Sequence, residues 1–285
     1  MKYLIVKGSA GFGDRLQCLK MCVRFALDNN LQVFVDWSDP IWSHNGESFY
    51  TYFNLVNVPV LKSIDDIPED ATVYPSFWQG KLKTTFTEDM GLIPGVHIGF
   101  LNNQQFTEDV VVHCSIGERW IYRDSDFFGD VLRVIDHRII RKVRERQQRH
   151  DLKNTTGIHL RGTDRANRIN KDHRMCALNI RLMNMGLLNG TKFVAVSDDP
   201  EYITIWKARY PAFPVLTEAG NLGGNQGVHL RSKESLTVSK DTLNVDLLVD
   251  FFTLASCRSV LSTSKDSRFA QEAQRLSIFI NKMLS

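Results

Sequence analysis

Residues 3–36, YLIVKGSAGFGDRLQCLKMCVRFALDNNLQVFVD, carry the first architectural signal. Positions 3–6 read as a short apolar strand and positions 8–13 as a glycine-rich turn. Leu16, Leu19, Met21, Cys22, Phe25 and Ala26 then recur with a helical period. Positions 31–36 return to a strand. Strand, turn, helix and strand in that order make a βαβ unit, which implies a parallel sheet and an α/β fold.

The turn GSAGFGDRL sits between a strand and a helix, the setting in which glycine-rich turns hold phosphates. A helix start offers unpaired N–H groups and about half a positive charge. The glycines stand at Gly8, Gly11 and Gly13, which is not GxGxxG, and no Walker lysine follows. Asp14 is open to a capping role and Arg15 to a surface role. The better reading is a loop that faces a cleft, with Gly11, Gly13, Asp14 and Arg15 turned toward whatever the second half of the chain binds.

Outward from this unit, residues 37–128 are aromatic-rich and irregular, with a short strand expected near 110–113. A long helix is expected over roughly 127–149. Strands at 156–159, 192–197, 215–217 and 259–261 then alternate with helices at 175–185, 200–209, 242–255 and 267–284. Two α/β halves fit, 1–150 and 151–285. Trp37, Trp42, Phe49, Tyr50, Tyr52 and Phe53 are dense enough for a sugar-stacking surface, although domain core is the commoner use of such residues.

Composition sets limits. With 285 residues, 43% hydrophobic and 24% charged, the chain has material for one large or two compact domains. A net charge of +3 is too small to argue for a nucleic-acid partner. Basic residues concentrate at Arg138, Arg141, Lys142, Arg144, Arg146 and Arg149, which reads as a solvated helix face or, less commonly, an anion-binding one. Five cysteines (Cys18, Cys22, Cys114, Cys176, Cys257) form no CxxC pair, so free thiols in a reducing compartment are expected. The apolar run at 3–6 is too short for a signal peptide, and no window reaches 18 apolar residues. A cytoplasmic protein, or one supplied without a targeting segment, is expected, with no integral membrane segment.

The chemistry concentrates in the second half. In GIHLRGTDR (157–165), alternation puts His159 and Arg161 on one strand face and Ile158 and Leu160 on the other. Ligands of open α/β sheets collect beyond the carboxyl ends of strands. An arginine there can grip phosphate with its rigid fork of donors, although an isolated HxR also fits a solvated turn. FVAVSDDPEYITIWKARYP (193–211) is a buried strand ending in Ser197, Asp198 and Asp199, with Pro200 suited to a first helical turn. These carboxylates suit a guanine edge, ribose hydroxyls or a helix cap. GVHLRSKESL (227–236) offers His229 and Arg231 in a loop that could close over a ligand. SCRSVLSTSKDSRFAQEAQ (256–274) runs from a strand through Ser262, Thr263 and Ser264 into a helix, a credible diphosphate cradle.

Taken together, these segments resemble the α1,6-fucosyltransferase-like glycosyltransferases, which include N-glycan core and nodulation enzymes with more distant O-fucosyltransferase relatives. HLRGTDR resembles that family's HxRRTDK segment, VSDDPEYI its TDDP segment, and LSTSKDSRFAQEA its last serine-rich strand–helix segment. GVHLRSKESL resembles a loop preceding that last motif, and GFGDRL a glycine-rich opening shared more loosely. Coverage is good over about 157–274 and thin over 37–130. The resemblance implies a GT-B-like fold, two facing Rossmann-like domains with a cleft between them, the C-terminal one binding the nucleotide sugar and the N-terminal one the acceptor. It implies GDP-fucose as donor substrate, a glycan acceptor, no cofactor, inversion, and no metal. Arg161 would stabilise the departing GDP, and His159 with Asp198 or Asp199 would hold the guanosine. Ser262, Thr263 and Ser264 would line the diphosphate pocket, with Thr163, His229 and Arg231 beside them.

Two positions depart from that pattern. The usual second arginine is Gly162, and the place of the family's glutamate falls at Ile169. The acceptor base is therefore left among Asp164, Asp14, Asp172 and Glu47, of which Asp164 and Asp14 stand nearest the motifs. Alternatives remain: a catalytically inactive nucleotide- or sugar-binding module, a transferase using another sugar nucleotide, or an unrelated doubly wound phosphate-ester or NAD-linked enzyme. Asp124-Ser125-Asp126 matches the DxD of metal-dependent transferases, but the pattern is common by chance and precedes a helix where carboxylates cap. His113-Cys114 and His97 lack ligand spacing and suit packing or surface roles.

Overall fold

The structure is a computed structural model, and it describes residues 2–96, 106–114, 127–162, 168–184, 190–217 and 233–285. The chain forms two compact units, Met1–Asp136 with Lys282–Ser285, and His137–Asn281. The first contains β1 (Tyr3–Lys7), α1 (Phe12–Asp28), β2 (Gln32–Asp36), α2 (Phe49–Tyr52), β3 (Phe53–Leu55), β4 (Val73–Tyr74), β5 (Val110–Cys114), α3 (Phe128–Val131) and β6 (Leu132–Val134). Its main sheet has the order β2-β1-β5-β4 and is parallel throughout. The opening βαβ unit is present as the alternation of strand and helix periods requires. Ile5, Val110 and Val112 meet Trp78 and Phe86 in one apolar cluster.

The second unit begins with α4 (His137–His150) and β7 (Thr155–Leu160). It continues through α5 (Arg168–Asn184), β8 (Lys192–Ser197), α6 (Pro200–Arg209), α7 (Lys240–Ala255), β9 (Ser259–Ser262) and α8 (Arg268–Leu276), and a last short helix, α9 (Ile280–Met283), follows. Its sheet, β8-β7-β9, is parallel with β7 central. Ile158 and Leu160 pack on Met175, Leu178 and Leu182 of α5 and on Tyr202 and Trp206 of α6. The opposite face of β7 meets α7: a Cβ at Gly157 would lie 2.8 Å from Leu254 Cδ2 and 2.9 Å from Cys257 Sγ. Every residue of β7 is buried, as expected of a parallel strand covered on both faces.

Four expectations change. The helix placed at 127–149 is two helices interrupted by β6, because Leu132 and Val134 pair with Leu55 and Phe53 of β3. The helix placed at 267–284 breaks after Leu276 into a 3₁₀ turn and α9. The strand at 215–217 is a single bridge, Val215 to Ala195, beside β8. The division between units falls before α4, not near 150, since this helix lies against α7 of the second unit.

That packing also revises the basic stretch. Arg138 pairs with Asp241, Lys142 with Asp246 and Arg146 with Asp250, a ladder of three ion pairs joining α4 to α7. Arg141, Arg144 and Arg149 keep the exposed positions. Arg146 is buried, donating to Asp250 Oδ1 and Thr253 Oγ1 at 2.9 Å each and to the Leu216 carbonyl. The other Asp250 oxygen accepts from Thr217 Oγ1 at 2.8 Å, and Thr217 Oγ1 accepts from the backbone N–H of Ser197 at 2.7 Å. The carboxyl end of β8 is thereby tied to α4 and α7. Among the described residues no helix is long and apolar enough to cross a membrane.

Burial, outweighing the Arg146 charge and hydrogen bond, raises the Asp250 carboxyl to about 6. An unfolded aspartate titrates near ~4, so the folded chain holds the extra proton between those values. Its contribution is full below about pH 4 and is lost as pH rises to about 6. The stability difference between the wild type and Asp250→Asn, from urea melts across pH 4–7, should shift against the wild type over that window. A pH-independent difference would show that Asp250 folds with an ordinary carboxyl.

Candidate functional site

The parallel order β8-β7-β9 brings three polar strand ends together: Ser197–Asp198–Asp199, Arg161–Gly162 and Ser262–Thr263–Ser264. The register aligns Leu160 with Ser197 and His159 with Ser262, so the residues after each strand leave the sheet at one level. The backbone N–H of Arg161 donates to Thr263 Oγ1 at 2.9 Å, and that of Thr263 to the His159 carbonyl at 3.1 Å. Asp198 bridges across: Oδ2 accepts from Arg161 Nη1 at 2.6 Å and Oδ1 from the Gly162 N–H at 2.8 Å. Arg161 and Asp198 side chains stay 22% and 21% exposed, so this ion pair sits at the rim, within reach of a ligand.

Other expected contacts are committed to the fold. Asp199 is the N-cap of α6, accepting from the N–H groups of Glu201 and Tyr202, and pairs with Lys171 at 2.6 Å. Of its two readings, the cap is the one realised. Lys171 also reaches Glu201 at 2.8 Å. Its burial opposes the charge, but the bonds to Asp199 and Glu201 outweigh this and hold its pKa above the usual lysine value. His159 is buried, with Nδ1 hydrogen-bonded to Ser267 Oγ at 2.9 Å and its ring 4.9 Å from that of Phe269. Guanosine contact by His159 would need those partners to move. Ser267 caps α8. Ser262 Oγ accepts from the Ser264 N–H at 3.1 Å, and Ser264 is buried while Ser262 and Thr263 are half-buried.

The first unit corrects one assignment outright. Arg15 is buried, its two Nη atoms gripping Asp39 at 2.9 and 2.6 Å and its Nε donating to the Ala10 carbonyl at 2.9 Å. The guanidinium lies 5.3 Å and 5.5 Å from the rings of Trp37 and Trp42. It braces the glycine turn from inside, with no part of its side chain exposed to a donor. Gly11 is the N-cap of α1 in extended conformation, Gly13 is buried in its first turn, and Asp14 is half-buried there. Trp37, Trp42, Phe49, Tyr52 and Phe53 are buried against one another and Phe12, so the aromatic cluster is core. Glu47 Oε2 takes the N–H groups of His44 and Asn45 at 2.8 and 2.7 Å, the work of a turn-stabilising carboxylate. Asp172 is exposed on α5.

Thr163, Asp164, His229, Arg231, His97, Asp124 and Asp126 lie outside the described residues, as does the Ile169 side chain. Sequence reading missed Tyr202. Its side chain is buried beneath the strand ends, and its hydroxyl makes no hydrogen bond among the described residues. Burial raises its pKa, with the nearby Thr263 hydroxyl and the Arg174 and Lys171 charges opposing. Only the position of Tyr202 three residues past Asp199 hinted that it would point back at the motif. Among the described residues, the one cluster of metal-ligating side chains is Cys18, Cys22 and His113, in the first unit.

No protein-family model and no curated protein matches the chain. Solved structures do. NodZ α-1,6-fucosyltransferase soaked with GDP-fucose superposes with a TM-score of 0.69 at 15% identity, over 97% of this chain and 92% of that one. Fucosyltransferase NodZ from Bradyrhizobium gives 0.65 at 14% identity, over 96% and 92%. A variant of Arabidopsis thaliana FUT1 in complex with GDP gives 0.53 at 12% identity, over 97% and 69%. The chain has the α/β fold of these fucosyltransferases, with parallel sheets in both units.

Proposed function

We propose that the chain is a glycosyltransferase that moves L-fucose from GDP-fucose to a glycan hydroxyl, with inversion and with no metal in the transfer step. The observation that carries this reading is Arg161, held by Asp198 and Thr263 at the carboxyl end of the central strand of a fucosyltransferase-like sheet. His137–Asn281 is the nucleotide-sugar side in this reading, and the first unit serves the acceptor. As the acceptor oxygen bonds to the sugar carbon, the bond from that carbon to the phosphate oxygen breaks. Its electron pair leaves with GDP, and the acceptor proton passes to a carboxylate, for which Asp164 and Asp14 are the candidates. Arg161, with the hydroxyls of Ser262 and Thr263, meets the charge growing on the diphosphate, the largest catalytic contribution available to such a site.

The Arg161–Asp198 pair does not block this role. A guanidinium grips phosphate and carboxylate with the same donor fork, and the diphosphate carries more negative charge, so Arg161 can exchange one for the other. Asp198 then acts first as the group that aims Arg161.

One observation favours a second reading, a nucleotide-sugar binder without transfer. A Cβ at Gly162 would overlap the Asp199 carboxylate and lie 2.6 Å from Tyr202 Cδ2. No second phosphate-gripping arginine fits at that position. Turnover separates the readings. With GDP-fucose and a panel of glycan acceptors, Arg161→Ala should lower kcat by about 100–1000-fold, whereas a binder would release no GDP even as the wild type. In a thermal-shift panel, GDP-sugars should raise the melting temperature above UDP- and dTDP-sugars. Equal shifts would remove GDP-fucose as donor. Gly162→Ala should lower the unfolding free energy by about 1–3 kcal/mol in urea melts. An unchanged midpoint would mean that the strand end yields and that glycine is not required there.

A further inference from the structure

Cys18 and Cys22 stand one turn apart on α1, and both are buried. Their sulfurs are 3.9 Å apart. His113, on β5 beside Val6 of β1, is 2% exposed, and its Nδ1 makes no hydrogen bond among the described residues. One ligand atom from each of the three falls within 4.8 Å of the others. An apolar core gains nothing from an imidazole there, because a buried polar nitrogen without a partner is destabilising. A cation bound by that nitrogen would remove the cost.

We propose that Cys18, Cys22 and His113 form a structural metal site for Zn²⁺ that fastens α1 to β5 in the first unit. Zinc–thiolate bonds of ~2.3 Å placed on sulfurs 3.9 Å apart subtend about 115° at the ion, close to the tetrahedral angle. Charge argues for a divalent ion. Two thiolates and a neutral imidazole cancel Zn²⁺, so the core gains no net charge, whereas a monovalent soft ion would leave one negative charge in apolar surroundings. Binding releases two thiol protons to solvent and makes two zinc–sulfur bonds and one zinc–nitrogen bond, leaving one position for an oxygen donor. Cys114, the neighbour of His113 in sequence, is not part of the set: its sulfur donates toward the Val96 carbonyl at 3.8 Å. The site is independent of the transferase reading.

The full chain, stripped with a chelator, should take up one equivalent of Co²⁺ and develop thiolate-to-cobalt charge-transfer absorption in the near ultraviolet. Zn²⁺ should bleach that band and raise the melting temperature. Cys18→Ser and Cys22→Ser should each abolish the band and the shift while retaining the wild-type circular dichroism. Two results would overturn the site: no charge-transfer band in folded wild-type protein, or a band that survives in Cys22→Ser.

Discussion

The Asp198 carboxylate joins two strand ends that would otherwise splay. One oxygen holds the Gly162 N–H and the other the Arg161 guanidinium, while Thr263 fixes Arg161 from the other side through its backbone N–H. Three parallel strands thus end in one hydrogen-bonded platform. Each bond is ordinary in strength, near ~1 kcal/mol net for the neutral ones. Together they hold the Arg161 guanidinium and the Gly162 backbone side by side at the strand ends. The network behind β8 extends this platform. Arg146, Asp250 and Thr217 lock the Ser197 N–H from beneath, so the strand that carries Asp198 is anchored to two helices.

Comparison of Arg15 with Arg161 shows where sequence reading reaches its limit. Both arginines closely follow a parallel strand, and both sit in glycine-containing segments. Their fates are decided by residues far away in sequence. Asp39, Trp37 and Trp42 enclose Arg15, and Gly8 permits this because a Cβ there would lie 2.5 Å from Trp37 Cδ1. A bidentate pair sealed under two indoles has no donor left facing solvent at appreciable exposure. Arg161 pairs with the Asp198 carboxylate at the rim. Nothing local in either segment distinguishes the two cases.

Elements with strong period were legible: the opening βαβ unit, β8 and α6 read directly from alternation and the Pro200 start, while the choice of Asp199 over Asp198 as cap came only with the structure. Elements whose identity comes from a partner were not. Residues 132–134 look helical beside the basic stretch that follows, yet β3 recruits them as a strand. Arg146 reads as one more solvated base, yet Asp250 and Thr253 bury it. The strand-end motifs were found because each lies within a few residues of its own strand. Lys171 and Tyr202 were not found, since their placement depends on α5 and α6 folding back over Gly162.

Gly162 then explains the departure it represents. The space a side chain would need is taken by Asp199 and Tyr202, themselves fixed by the cap of α6 and the core beneath β7. In a site with two arginines, charge compensation for a leaving diphosphate could be shared between two guanidiniums. In the transferase reading proposed above, position 162 supplies no guanidinium, and compensation beside Arg161 would fall on the Ser262 and Thr263 hydroxyls, because the N–H groups of Arg161, Gly162, Thr263 and Ser264 already donate within the fold. Those groups are neutral and fixed, so they favour developed charge over the ground state only if they are aimed at it before the ligand arrives. The hydrogen bonds from Arg161 to Thr263 and from Ser264 to Ser262 provide that aim.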